Sequence, residues 1–362
     1  SFTYTPPANH LALCTTNLPE PTISDPSTAF DAVTYSGDGT NGRAITGINH
    51  SPDLVWIKAR NQADGHNLFD IVRGTTKVIK SNNSNAELTE SNSLTAFNSD
   101  GFTVGSNASN AQVNASGFTY VAWAWDAGSS TVTNNDGSIA SSVRANQSAG
   151  ISCLTYIGTG ASASVGHGLN SAPGFIIIKR RDSSVDWVNY HSALGVDKYV
   201  QLSLTDAATT SSGYWGTVNN NTFGLPSFST PNASGGTFVA YCFAPVEGYS
   251  AFGSYTGNGS SDGPFIYTGF RPAFLIIKNT SYSGYNWVIF DTERNTYNLA
   301  ENYLAPNTSN SEYTDLDIDI LSNGFKIRTA GGSTLGNTVN YSTAVYITAA
   351  FAEHPFKTSR AR

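Results

Sequence analysis

The residues able to do chemistry are few and scattered. The six histidines, His10, His50, His66, His167, His191 and His354, show no spacing suited to a zinc site. Cys14, Cys153 and Cys242 form neither a CxxC pair nor a disulfide framework, and they read as small buried side chains. The densest titratable run is Asp315, Asp317 and Asp319 in DLDIDI. Alternation puts these carboxylates on one strand face, with neighbours about 7 Å apart. They are the candidate metal ligands, against the competing reading of a solvated or charge-protected strand face. A glycosidase pair must flank the sugar bond, and a single row does not. No nucleophile elbow, phosphate loop, dinucleotide fingerprint or EF-hand loop occurs in a fitting context. No catalytic residue is assigned and no cofactor is expected.

Aromatic residues, at 12% of the chain, carry the remaining signal. Tyr214, Trp215, Tyr282 and Tyr285 lie in polar loops, where ring faces can stack on sugars while Asn and Asp bond the hydroxyls. These four are the candidate glycan-binding residues. His191, Asp70 and Asp291 occupy matching places after aromatic stretches. They read as polar strand ends bonded to a neighbouring loop, with a shared active site as the competing view.

The elements that must position these residues are repeated. Tyr35, Pro52 and Lys58 recur 121 residues on as Tyr156, Pro173 and Lys179, and a further 99 on as Tyr255, Pro272 and Lys278. Three landmarks sharing each offset identify three copies of one module. Short strands with turn signals about every ten residues, and no helical apolar period, predict an all-β fold of three tandem β-sandwich (jelly-roll-like) modules. The expected boundaries are 29–128, 151–248 and 249–357. Residues 1–28 read as an extended linker or the end of an upstream domain, and 129–150 as a linker with one hairpin. Each module ends on a closing strand. In GFTYVAWAWD, Tyr120, Ala122 and Ala124 oppose Val121, Trp123 and Trp125, so both faces are apolar. Trp125, Phe243 and Phe351 occupy matching places and are expected to be buried.

Composition narrows the function classes. Only 12% of the 362 residues are charged, about half the usual share, and the net charge is −7. A general nucleic-acid binder would show a basic stripe. No apolar run is long enough for a membrane-spanning helix, so neither nucleic acid nor membrane insertion is expected.

The TYxGxG…P…IK repeats, SLTAFNSDGF, TYVAWAWDAGSS and YITAAFAEHPFK resemble the repeat region of tail-fibre and structural virion proteins of marine tailed phages. The opening SFTYTPPANHLALCTTNLPEPT resembles the end of a SPRY/concanavalin-like domain. This resemblance implies a virion location and a non-enzymatic role as tail fibre, spike or surface decoration. The expected partners are further copies of the chain in a closed homo-oligomer, often a trimer in such proteins, other virion proteins and host-surface glycans. A glycan-degrading depolymerase, with two opposed carboxylates in a cleft, is the alternative of a different class. A cellular surface-layer or adhesin protein is a third.

Overall fold

The computed structural model describes residues 17–18, 20–106 and 109–359. Cys14 and most of the opening segment lie outside them. The chain is built almost wholly of antiparallel strands.

Three large sheets share one strand order: opening strand, closing strand, lysine strand, aromatic strand. In sheet one these are Phe30–Ser36, Thr119–Trp125, Leu54–Ala59 and Asn67–Asp70. In sheet two they are Ile151–Ile157, Thr237–Phe243, Phe175–Arg180 and Val188–His191. Sheet three uses Ser250–Thr256, Val345–Pro355, Phe270–Asn279 and Val288–Asp291. A small sheet covers the outer face of each. These are Arg43–Thr46 with Gly101–Val104 and Leu94–Asn98; Ala163–Gly166 with Thr222–Leu225; and Phe265–Tyr267 with Gly324–Ile327 and Ile318–Leu321. The result is an all-β sandwich architecture, as the strand pattern predicts.

The TYxGxG landmark has a local physical cause. Tyr35, Tyr156 and Tyr255 each donate a hydrogen bond to a main-chain carbonyl, of Val113 (2.7 Å), Pro231 (2.6 Å) and Val339 (2.7 Å). Each ring stacks on its cross-strand partner, Tyr120, Phe238 or Tyr346, at 5.0, 5.0 and 4.8 Å. The next residue after each accepting carbonyl is a buried asparagine: Asn114, Asn232 or Asn340. Its amide nitrogen donates to two carbonyls, and its oxygen accepts from Asp38 N, Thr159 N or Asn258 N. The first glycine of the motif passes against this segment. A Cβ on Gly37, Gly158 or Gly257 would sit 2.1–2.4 Å from the carbonyl oxygen of Ala115, Ala233 or Tyr341. The second glycine, Gly39, Gly160 or Gly259, turns the chain with φ of +73 to +75°. Pro52 and Pro173 precede their strands, while Pro272 sits at a bulge inside its longer one.

The inner faces of the three sheets meet in one core. The closing strand explains how. Val121, Trp123 and Trp125 face that shared core, whereas Tyr120, Ala122 and Ala124 fill the interior between sheet one and its small sheet. Trp125, Phe243 and Phe351 are buried, as expected, and converge at the centre with ring centroids 5.5–6.2 Å apart. A cavity of about 20 Å³ remains beside them, lined by apolar side chains from all three sheets. The three sheets are therefore packed on one another through a single shared core. The stretch 129–150 holds the expected hairpin and joins it to a large sheet. Its strands Thr131–Asn134 and Ser141–Asn146 form a hairpin that extends sheet two beyond Ile151–Ile157.

Candidate functional site

The ionisable residues inside the fold are engaged in structural bonds, some within a sheet and some between sheets. Lys58, Lys179 and Lys278, the end of each landmark, are fully buried. Each ammonium donates to main-chain carbonyls: Ala59 and Gln62, Arg180 and Val185 among others, and Thr205 and Tyr285. Loss of solvent pulls their pKa values down to about 8, 8 and 7. Asp70, His191 and Asp291 likewise serve structure. Each accepts from a backbone N–H of its following turn, Arg73, Ala193 or Arg294. Each also reaches the closing strand of another sheet. Asp70 accepts from Tyr241 Oη at 2.8 Å, Asp291 accepts from Trp123 Nε1 at 2.9 Å, and His191 Nε2 lies 3.1 Å from the Thr348 carbonyl. The polar strand-end reading fits this geometry.

The residues singled out from sequence do not come together. Tyr214 and Trp215 are buried in the core of sheet two, not displayed in a loop. Tyr214 stacks on Tyr199 at 4.3 Å, and Trp215 Nε1 donates to the Lys198 carbonyl. A polar segment that folds back over an apolar pocket carries no mark of that in its own composition. Tyr282 stays 44% exposed and packs on Tyr341. Tyr285 is half-buried, and its carbonyl accepts from Lys278 Nζ. Asp315, Asp317 and Asp319 face outward, alternating with buried Leu316, Ile318 and Ile320. Asp315 accepts from Tyr303 Oη, and Asp319 lies 3.6 Å from Arg328. Among the described residues no group of three or more His, Cys, Asp or Glu side chains is placed to hold a metal ion, and of the three aspartates only Asp319 lies in a strand, Ile318–Leu321. Cys153 and Cys242 are buried free thiols.

A cleft absent from the sequence reading opens where sheet one meets sheet three. It has a volume of about 250 Å³ and is lined by Asp31, Glu293, Glu353, Thr292 and Thr296 among others. Burial raises the Asp31 carboxyl above its ordinary value, against hydrogen bonds donated by Ala32 N and Asn49 N. Burial also raises Glu293, with the negative charges of Asp291 and Asp31 adding to it. Thr34 N and Oγ1 donate to Glu293 Oε1. Glu353 is paired with Arg271. Two partly desolvated carboxyls at one seam can hold and release a proton near a bound ligand.

A family model described as a domain of unknown function (DUF7483) matches residues 25–355. The chain belongs to that family. No curated protein matches it.

Comparing the three sheets of this DUF7483 chain shows which site residues the fold itself demands. Ser152 and Ala251 stand where Asp31 does, and Val72 and Ala193 stand where Glu293 does. The carboxyls of the cleft are thus particular to one seam. That difference between copies is the sequence signal that would have found them.

Proposed function

We propose that this chain is a non-enzymatic virion structural protein, a tail fibre, spike or surface decoration. It acts by assembly with copies of itself and other virion proteins, and by contact with host-surface glycans. One observation carries the reading: the interior lysines and arginines are engaged in structural hydrogen bonds and ion pairs, within and between three sheets that share one core. Sheets packed on one core in that way suit a particle surface. The family resemblance of the repeats and the low charge support the same role. Incubation with bacterial surface polysaccharides tests it. Retention of the polysaccharide without new reducing ends is the expected result, and their release overturns the non-enzymatic reading.

The carboxyl cleft favours a second reading, a glycan-degrading depolymerase using Asp31 and Glu293 as proton donor and acceptor. Under it, reducing ends appear and Asp31→Asn and Glu293→Gln each abolish them. Release that survives both substitutions rejects the cleft as the place of cleavage.

A further inference from the structure

We propose that the outer face of the third small sheet, together with the cleft beside Tyr267, is a binding site for an uncharged glycan; this rests on the glycan-contact reading above. The site starts from the strand Phe265–Tyr267, an edge strand paired only with Gly324–Ile327. Ile266 points into the core, so alternation turns Phe265 and Tyr267 outward on one face, about 7 Å apart. They are 46% and 66% exposed. Large aromatic rings left in water along one face are uncommon on a monomer and mark contact surfaces.

The fold does not call for rings here. The matching strands Arg43–Thr46 and Ala163–Gly166 pair in the same way, with Ile45 and Val165 where Ile266 stands. At the two outward positions they carry Ala44 and Thr46, and Ser164 and Gly166. The Tyr267 ring leans over the turn that follows it. A Cβ on Gly269 would lie 3.4 Å from Tyr267 Oη and 3.7 Å from the ring, so the phenol lies directly over that glycine.

Charge on this face selects the ligand. Lys326, cross-strand from Phe265, donates to Asp262 at 2.6 Å. Asp319, cross-strand from Lys326 on its other side, has Arg328 at 3.6 Å. Each cation has a carboxylate beside it and Glu247 adds a further carboxylate in the cleft, so the site offers hydrogen-bonding groups but no positive field to draw an anionic polymer. Tyr267 is also a wall of a cleft of about 280 Å³, where Thr268, Glu247 and the half-exposed Phe356 add further polar and aromatic surface. Rings for the C–H faces of a sugar, with neutralised donors and acceptors around them, match a polyhydroxylated, uncharged chain.

Affinity electrophoresis through gels cast with laminarin, hydroxyethyl cellulose or dextran tests the site. The native chain should be retarded in at least one gel. The double variant Phe265→Ala/Tyr267→Ala should lose at least tenfold in affinity with an unchanged thermal midpoint, while Val132→Ala, at an exposed position of the sheet-two hairpin, keeps full retardation. Equal retardation of the double variant overturns this site and leaves glycan contact standing. No retardation of the native chain in any gel overturns both. A concentration-dependent dimer that the double variant dissolves would assign the face to self-association and reject the glycan site.

Discussion

The three seams between sheets are built on one plan, and two of them differ sharply from the third. The same backbone hydrogen bond crosses each seam: Glu87 N to the Arg181 carbonyl, Ala208 N to Thr280, and Glu312 N to Arg60, at 2.7–3.0 Å. Where sheets one and two meet, Glu87 lies between buried Arg73 and Arg181. Where sheets three and one meet, Glu312 lies between buried Arg294 and Arg60. Each triad adds Asp70 or Asp291 behind the inner arginine. Between sheets two and three the corresponding residues are Leu194, Ala208 and Thr280, with no ion triad. That seam closes on the backbone bond, apolar packing and side-chain bonds to carbonyls, Lys278 Nζ to Thr205 and His191 Nε2 to Thr348, without a carboxylate–arginine triad. Once an arginine is buried, however, its glutamate becomes indispensable, because removing one partner leaves an uncompensated interior charge.

That contrast can be broken first at the triads. Glu312→Ala or Glu87→Ala should cost about 3 kcal/mol in urea unfolding, while Ala208→Ser at the third seam should cost under about 1 kcal/mol. The arginines hold both glutamates below their ordinary pKa. The unfolded chain thus binds more protons in acid, and this stabilisation is lost as pH falls through the lowered values. The alanine variants should show a flatter acid limb. Asn114, Asn232 and Asn340 make the same bonds in every sheet, so replacing each by Ala should cost a similar amount, about 2 kcal/mol. A large spread among the three would break the equivalence of the sheets.

The lysines give a smaller, signed effect. Their folded pKa values lie near 8, 8 and 7, below 10.5. Between those limits the unfolded chain binds more protons, so stability should rise with pH from about 7 to 9. Above about 10 the direction reverses. Burial pushes Tyr35, Tyr156 and Tyr255 well above 10, so the unfolded phenols release protons first. Urea midpoints measured at pH 7, 9 and 11 should pass through a maximum, and Lys278→Met should lower the rise. The least effect is expected from building a triad-like pair where none exists. Ala208→Glu/Thr280→Arg should change stability by less than about 1 kcal/mol, since desolvation at the buried Thr280 position offsets the attraction of the new pair.

Much of the fold was legible because its signals are local. Strand alternation, the turn glycines and the two-faced TYVAWAW strand follow from backbone geometry and burial over a few residues. Trp125, Phe243 and Phe351 could be placed inside on that basis alone. The site was less legible. Tyr214 and Trp215 looked exposed because their neighbours are polar, yet the loop returns onto its own core. Phe265 and Tyr267 lay within a landmark stretch that pointed to fold, and only the outward alternation of an edge strand separates them from it. Asp31 and Glu293 are far apart in sequence, so no spacing rule could join them.

The amino-acid sequence by itself determined the strands, the landmark turns and which closing-strand residues are buried, since these depend on steric and hydrophobic preferences within short segments. Only the tertiary structure decided that three sheets share one core, that arginines and glutamates from distant segments meet at two seams, and that carboxyls and aromatic rings gather in clefts at particular places. Those outcomes depend on how apolar faces close against one another, and contacts between residues widely separated along the chain leave no local periodicity to read.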